Sequence, residues 1–256
     1  RLSHLFPHGA SNKPLTVAMD SSPAVSRPRL IMAAITWLLV VGCISDKAAT
    51  LAAHRSAERA NPQCSWHHLP DPMLDNLPDW SGSQLANALA AIYVGSMIVY
   101  CAGPDPQGVL HRFVAVFGAL LLLRSLTIIS VAYPAPDEYM EGCFKTPIPW
   151  RWWGNSLFVW FPTCGDYMFS GHTMTFVLCS CVHTVHLKTL RPLKDRPAWC
   201  ACALVVVWAG CACGVLSLLL VRLHYSADVL VGAYVASSIF ALHERLPAEL
   251  PDRPWV

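Results

Sequence analysis

The sequence predicts an all-α membrane protein, a polytopic bundle of six transmembrane helices. Hydrophobic residues make up 54% of the 256-residue chain and charged residues only 13%, against about 25% charged residues in ordinary soluble domains. The apolar residues also come in blocks of about 20, the length at which an α-helix crosses the hydrocarbon core of a bilayer. This composition excludes an ordinary cytosolic enzyme, a disordered chain and a nucleic-acid-binding protein, and the net charge of +2 indicates no polyanionic partner.

Six apolar blocks define the predicted spans. They cover residues 30–47, 84–103, 110–132, 171–188, 198–220 and 226–243. The first block is short, because Asp46 and Lys47 interrupt it. The predicted organisation is a cytosolic tail over 1–29, a six-span membrane domain over 30–243 and a short cytosolic tail over 244–256.

Basic residues predict which way the spans face. Of the 18 Lys and Arg residues, 11 fall in the two tails and in the second and fourth connections, whereas six fall in the other three connections. Lys and Arg accumulate on the cytosolic side of membrane proteins. Both termini are therefore expected to be cytosolic, and the first, third and fifth connections are expected to face the lumen or the exterior.

The cysteines favour packing over metal binding. Eight of the 11 fall in predicted spans, where cysteine behaves as a small apolar residue. Three pairs have C-x-C spacing, but residues two apart on a helix point about 200° apart and cannot chelate one ion together. Cys64, Cys143 and Cys164 fall on the extracytosolic side, where a Cys143–Cys164 disulfide stays an open alternative.

The first polar segment lies at the start of the fourth span. Residues 164–173, C-G-D-Y-M-F-S-G-H-T, place Ser170, Gly171 and His172 at a helix N-terminus. Free backbone N–H groups and the helix dipole favour a phosphate there, and Gly171 lets the backbone approach it closely. His172 could then exchange a proton with a bound phosphoryl group. The simpler interpretation is a helix cap at Ser170 beside an interfacial histidine.

The second polar segment joins the fifth and sixth spans. In residues 222–228, R-L-H-Y-S-A-D, His224 and Asp228 are four apart and share one helix face. A carboxylate on one imidazole nitrogen fixes the tautomer and leaves the other nitrogen as a base or nucleophile. Arg222 adds a fork-shaped cation that suits phosphate oxygens. By itself such a pair is common in helices.

A third polar feature is Arg124, late in the third span and near the same membrane surface. A lone arginine there could simply extend to the lipid headgroups. However, this level of the membrane also carries two histidines, one aspartate and a second arginine. Together these residues favour phosphoryl transfer, in which positive charges bind the phosphate and acid–base groups move the protons.

These motifs resemble the four signature motifs of the sphingomyelin synthase family, within the type-2 phosphatidic acid phosphatase superfamily. Residues 164–173 resemble the third motif, and H-Y-S-A-D-V at 224–229 resembles the fourth. L-P-D-P-M-L-D at 69–75 is similar to the first motif, and R-S-L-T at 124–127 with Y-P-A-P at 133–136 is similar to the second. The resemblance implies a phosphatase/phosphotransferase-like core. Where the family commonly has Thr-Val, this chain has Ser226-Ala227.

The resemblance implies a catalytic triad of His172, His224 and Asp228. His224 would attack phosphorus to form a phosphohistidine, and His172 would protonate the departing diacylglycerol oxygen and then deprotonate the primary hydroxyl of ceramide. The expected substrate-binding residues are Arg124, Asp166, Ser170, Gly171, Arg222 and Tyr225. No metal and no cofactor are implied.

The implied substrates are ceramide and a glycerophospholipid, phosphatidylcholine or phosphatidylethanolamine. Phosphocholine is the expected headgroup, although ethanolamine and inositol phosphates need the same machinery. Trp150, Trp152, Trp153 and Trp160 fit an interfacial aromatic belt or a cation–π surface for choline. The expected location is the Golgi or plasma membrane with a luminal or exoplasmic site, and a homo-oligomer is left open. The rival functions are a lipid phosphate phosphatase, with water as acceptor, and a non-enzymatic scramblase or ceramide-binding protein.

Overall fold

The computed structural model describes residues 27–59, 71–78, 80, 83–131 and 167–249. The regular secondary structure of the described residues is entirely helical, with no strand among them. The α-helices are α1 Arg27–Arg59, α2 Ser83–Ser96, α3 Pro106–Ser130, α4 Gly171–His186, α5 Arg191–Lys194, α6 Pro197–Leu220 and α7 Ser226–Glu249. Two 3-10 turns, Met97–Ala102 and Leu187–Thr189, extend α2 and α4. The all-α prediction is therefore confirmed for the part of the chain that the structure describes.

Four of these helices are long and apolar enough to cross a membrane. The qualifying segments are Met32–Ala49, Pro106–Ser130, Pro197–Leu220 and Ser226–Arg245. They lie in α1, α3, α6 and α7, as expected for an integral membrane protein. Helices α2 and α4 coincide with the other two predicted spans but are shorter, with 14 and 16 residues. The count of six spans stays a prediction.

Helix α4 lies at the centre of the bundle and packs against α2, α3, α6 and α7. Eleven of its 16 residues are buried, Phe176 and Leu178 completely. At 1.5 Å per residue α4 is about 24 Å long, less than the hydrocarbon thickness of about 30 Å. A helix enclosed by other helices meets little lipid, so it tolerates polar residues such as Ser180, whose hydroxyl donates to the carbonyl oxygen of Phe176 at 2.8 Å.

Two glycines bring the neighbouring helices close to α4. A Cβ atom added to Gly214 of α6 would lie 2.8 Å from the ring of Phe176, and one added to Gly232 of α7 would lie 3.1 Å from the carbonyl oxygen of Ser170. Small residues allow such close backbone approach between membrane helices. The outward faces of α6 and α7 carry exposed apolar side chains, including that of Val206, which suits a surface covered by lipid.

Helix α1 continues beyond the predicted end of the first span at residue 47. It runs to Arg59 and packs along α3. Beyond the charged pair, Ala48, Ala49 and Ala52 are buried against Ile128 of α3. The charged pair ends the apolar block in the sequence, but it does not end the helix. The alanines that follow it continue the helix, because alanine has the highest helix propensity of all residues. At the other end of the chain α7 runs to Glu249, past the predicted boundary at residue 243.

Candidate active site

The start of α4 is held by a helix cap and by α7. The Ser170 hydroxyl accepts a hydrogen bond from the backbone N–H of Thr173 at 3.2 Å, and the N–H of Ser170 donates to the carbonyl oxygen of Asp228 at 3.3 Å. The Ser170 side chain is completely buried. The structure therefore gives Ser170 the capping role that the simpler interpretation assigned, and its contact with substrate stays a prediction.

Arg124 of α3 lies against the first turn of α4. Its Nε donates to the carbonyl oxygen of Phe169 at 3.0 Å, and its Nη1 donates to the hydroxyl of Ser45 in α1 at 3.3 Å. A Cβ atom on Gly171 would lie 3.5 Å from Arg124 Nε. The guanidinium thus lies beside the helix N-terminus, and two different elements fix its position. Fixed positive charge next to free backbone N–H groups favours an anion.

His224 and Asp228 face each other at the start of α7. Nδ1 of His224 lies 3.5 Å from Oδ2 of Asp228, and both side chains are buried. The same Oδ2 accepts a hydrogen bond from the backbone N–H of Tyr225 at 3.2 Å. Asp228 therefore does two things: it completes the N-terminal turn of α7, as an acidic residue at the third helical position often does, and it directs a carboxylate at the imidazole of His224.

The two predicted catalytic histidines lie close together. The ring centroids of His172 and His224 are 6.0 Å apart, with an interplanar angle of 60°. One ring comes from the start of α4 and the other from the segment between α6 and α7. This separation is typical of rings in edge-to-face contact, so the nitrogens of both imidazoles are close enough to reach the same phosphoryl group.

Asn87, which was not among the residues expected from the sequence, contacts one of the two predicted catalytic histidines. Its Oδ1 lies 2.7 Å from Nε2 of His172. Because a carboxamide oxygen only accepts, Nε2 of His172 must carry the proton in this contact. Asn87 lies in the apolar helix α2, and a polar residue in such a helix is a functional candidate by default. That signal was available in the sequence.

Aromatic side chains lie beside His224. Tyr167 has its ring centroid 5.9 Å from that of His224 and 6.3 Å from that of Tyr225. Both tyrosines are buried in a small apolar cluster that includes Leu74. Tyr225, expected to bind substrate, thus lies in the wall of the site. Tyr167 was not singled out in the sequence.

Arg222 follows α6 with an unusual backbone. Its φ is 53°, in the left-handed region that costs an L-residue about 1–2 kcal/mol. The N–H of Arg222 donates to the carbonyl oxygen of Leu219, and the N–H of Leu223 donates to that of Leu218. This pattern is a Schellman motif, which usually has glycine at the position of Arg222. Arg222 Nε is buried without a hydrogen-bond partner among the described residues.

Asp71, from the segment before α2, holds the start of α7. Its carboxylate accepts hydrogen bonds from the backbone N–H of Ser226 at 2.6 Å and from the Ser226 hydroxyl at 2.8 Å. It also accepts from the N–H groups of Met73 and Leu74. Burial of the carboxyl group raises its pKa, but these hydrogen bonds outweigh burial and hold the pKa of Asp71 below its ordinary value.

Several sequence predictions concern residues outside the described part of the chain. These are Asp166, the Cys143–Cys164 pair, the tryptophans of the third connection, residues 69–70 of the first motif and residues 133–136 of the second. Within the described residues, no group of three or more His, Cys, Asp and Glu side chains could hold a metal ion.

Comparisons with known proteins agree with these motifs. Residues 163–245, which include both histidines and Asp228, match the family described as PAP2 superfamily C-terminal. The chain is 25% identical over 197 residues to human phosphatidylcholine:ceramide cholinephosphotransferase 1, covering 72% of this chain and 45% of the relative. It is 23% identical over 201 residues to mouse sphingomyelin synthase-related protein 1, covering 74% and 40%.

A third relative is named for a different headgroup. The chain is 28% identical over 148 residues to the phosphatidylinositol:ceramide inositolphosphotransferase of Trypanosoma cruzi, covering 56% of this chain and 40% of the relative. The aligned part of this chain spans less than half the length of each of these three relatives. The four motifs, the helical bundle and the match to the PAP2 region agree, and together they make this chain similar to the sphingomyelin synthase family.

Proposed function

We propose that this protein transfers a phosphorylated headgroup from a glycerophospholipid to the primary hydroxyl of ceramide and releases diacylglycerol. The observation that carries the proposal is the 6.0 Å separation of the His172 and His224 rings, with Asp228 behind His224. A double displacement needs one nucleophile and one acid–base group on either side of the same phosphorus atom. Two histidines at this separation suit those two roles.

In the first step His224 is the nucleophile. With Nδ1 facing Asp228, Nε2 is the nitrogen that attacks phosphorus. A P–N bond forms, and the bond between phosphorus and the diacylglycerol oxygen breaks. Asp228 stabilises the positive charge that develops on the imidazole of His224. The 3.5 Å distance is long for a hydrogen bond, and such contacts commonly shorten when substrate binds.

His172 moves the protons in both steps. Its Nε2–H donates to Asn87, so Nδ1 is the nitrogen that gives a proton to the departing diacylglycerol oxygen. In the second step Nδ1 takes the proton from the ceramide hydroxyl, whose oxygen attacks the phosphorus of the phosphohistidine. The P–N bond then breaks, and His224 returns to its starting state. No proton is gained or lost over the cycle.

Charge on the phosphoryl oxygens is stabilised by fixed cations and dipoles. Arg124 lies beside the N-terminus of α4 and is held by Phe169 and Ser45. Arg222 lies two residues before His224, and we propose that its guanidinium binds the phosphate in a bidentate manner, through two parallel N–H···O hydrogen bonds. Such preorganised groups need no rearrangement as charge develops.

Phosphocholine is the headgroup we propose, with phosphatidylcholine as donor. The human relative is named for choline, and the trypanosomal relative is named for inositol. Water could also be the acceptor, and on a lipid phosphomonoester this would make the protein a lipid phosphate phosphatase. The ceramide transferases among the relatives favour ceramide as acceptor. We place the reaction at the luminal or exoplasmic leaflet of the Golgi or plasma membrane, with both termini in the cytosol.

A transfer assay tests the proposal. Membranes that contain the expressed protein receive a fluorescent ceramide with phosphatidylcholine, phosphatidylethanolamine or phosphatidylinositol, and mass spectrometry identifies the products. We expect a phosphorylated ceramide lipid and an equal amount of diacylglycerol. His224→Ala should abolish both products, whereas His111→Ala, which changes an exposed histidine of α3 far along the helix from Arg124, should leave them unchanged. Release of free headgroup phosphate without a ceramide product would indicate the phosphatase, and turnover unaffected by His224→Ala would refute the phosphohistidine route.

A further inference from the structure

A cavity lies at the opposite end of α4 from the candidate active site. Its volume is about 330 Å³, and its walls come from the end of α2, the start of α3 and the end of α4. His186 lines this cavity, and His172 lies 14 residues earlier in the same helix. At 1.5 Å per residue the two positions are about 21 Å apart. The cavity is therefore a separate feature, and its role does not depend on the proposed function.

The cationic side chains of the cavity are Arg112 and Lys188. Nη1 of Arg112 donates to Nε2 of His186 at 3.2 Å, and its Nε lies 3.7 Å from a carboxylate oxygen of Glu244. These two contacts fix the position of the guanidinium. Lys188 is exposed, and no described carboxylate lies within ion-pair distance of it. Its ammonium group is available to a ligand.

The acidic side chain in the cavity wall, that of Asp105, already accepts a hydrogen bond from the backbone. Asp105 caps α3, and its carboxylate accepts a hydrogen bond from the backbone N–H of Gly108 at 2.9 Å. Val109 and Val185 supply apolar wall. The cavity thus combines a fixed guanidinium, an unpaired ammonium and apolar surface. This combination suits an amphiphilic anion better than a metal ion or a neutral solute.

We propose that this cavity binds a phosphate ester, carried either by the headgroup of an anionic phospholipid or by a soluble phosphate compound. The volume is at the lower end of the range of about 300–1,000 Å³ for small-molecule sites, so it admits a headgroup and not a whole lipid. Basic pockets between membrane helices recognise anionic headgroups in this way. The cavity lies on the side that the Lys and Arg distribution predicts to be cytosolic, where anionic lipids concentrate.

The test compares Lys188→Gln with Lys194→Gln in nanodiscs. Both lysines are exposed and lie six residues apart, but only Lys188 lines the cavity. One arm adds increasing phosphatidic acid to phosphatidylcholine discs, and the other adds inorganic phosphate to pure phosphatidylcholine discs. The readout is the midpoint of thermal unfolding, followed by tryptophan fluorescence. Equal midpoints of the three proteins without ligand show that neither variant has lost its fold.

We expect the ligand to raise the midpoint of the wild type and of Lys194→Gln alike. Lys188→Gln should need about fivefold more ligand for the same rise, which corresponds to about 1 kcal/mol for one basic residue near the membrane surface. A response to phosphatidic acid alone identifies a lipid headgroup, and a response to inorganic phosphate alone identifies a soluble ligand. If neither ligand raises the wild-type midpoint, or if all three proteins respond equally, there is no phosphate-ester site in this cavity.

Discussion

Nε2 of His172 and Oδ1 of Asn87 lie 2.7 Å apart, which joins the first turn of α4 to the apolar helix α2. The contact keeps the proton of His172 on Nε2, which leaves Nδ1 for the proton transfers of the proposed mechanism. When His172 is protonated, the carboxamide oxygen of Asn87 also stabilises the added charge. We therefore propose that Asn87 is a positioning residue, which acts on the reaction through His172.

Replacement of Asn87 by leucine should slow the transfer and leave the fold intact. A hydrogen bond to a charged group contributes about 1.5–3 kcal/mol, so we expect kcat to fall about 10-fold to 100-fold. The KM for ceramide should change little, because Asn87 acts through His172. Asn87→Asp keeps an acceptor oxygen at the same place and should restore most of the rate. Equal loss in Asn87→Leu and Asn87→Asp would show that Asn87 only packs.

Asp228→Asn separates the two roles of Asp228. The amide oxygen can still accept from the N–H of Tyr225, so the first turn of α7 should survive and the unfolding midpoint should stay near that of the wild type. The charge facing His224 is lost, and we expect kcat to fall by roughly 10³ to 10⁴. Circular dichroism and transfer rates measured on one preparation test this expectation. A large loss of stability with a proportionate loss of activity would leave the carboxylate a purely structural role.

The pH dependence of stability should depend on Asp71. Its pKa in the folded protein lies below its ordinary value, so the stabilisation is fully present above the ordinary pKa of about 3.9. It is lost as the pH falls through the lower, folded value. The unfolding midpoint in detergent should therefore drop steeply below about pH 4, and this drop should be smaller in Asp71→Asn. Parallel curves for the two proteins would show that Asp71 does not contribute.

The positions of most helices could be predicted from the sequence, because blocks of about 20 apolar residues have few alternatives to a helix in a membrane. The helix ends could not. Hydropathy predicts that a span ends where charged residues begin, as at Asp46. Helix α1 continues beyond this point because its alanines pack against Ile128 of α3. The central position of α4 could not be predicted from the sequence either, because it depends on which helices surround α4.

The candidate site was only partly predictable. Four-residue spacing placed His224 beside Asp228, and the start of a helix predicted where His172 would lie. The contact between Asp71 and Ser226 joins residues 155 positions apart, and no local pattern encodes such a pairing. A polar residue in an apolar helix marks Asn87 as a candidate, but its partner His172 could not be predicted, because tertiary packing decides which face of α2 meets α4.

Gly232→Ala should separate α4 from α7 and slow the reaction. The new Cβ would lie 3.1 Å from the carbonyl oxygen of Ser170 and 3.3 Å from Cβ of Thr173, so these neighbours must move by a few tenths of an ångström. Misplacement of catalytic groups by about 1 Å can cost about 100-fold in rate, and we expect this smaller shift to cost less than that. The matched control is Gly95→Ala in α2, where a Cβ meets nothing within 4 Å. This variant should keep full activity; equal activity of the two variants would mean that the α4–α7 contact does not position the histidines.

Arg222→Gly should make the protein more stable and less active. Glycine adopts the left-handed φ of 53° without strain, and relief of that strain is expected to stabilise the fold by about 1 kcal/mol. Loss of the guanidinium should lower kcat about 100-fold if Arg222 stabilises charge on the phosphoryl group. Arg222→Lys keeps the positive charge but not the two-pronged guanidinium, so its kcat should lie between those of the wild type and Arg222→Gly. The unfolding midpoint and the transfer rate, measured together on all three proteins, test this. A variant that is both more stable and fully active would show that Arg222 has no part in catalysis.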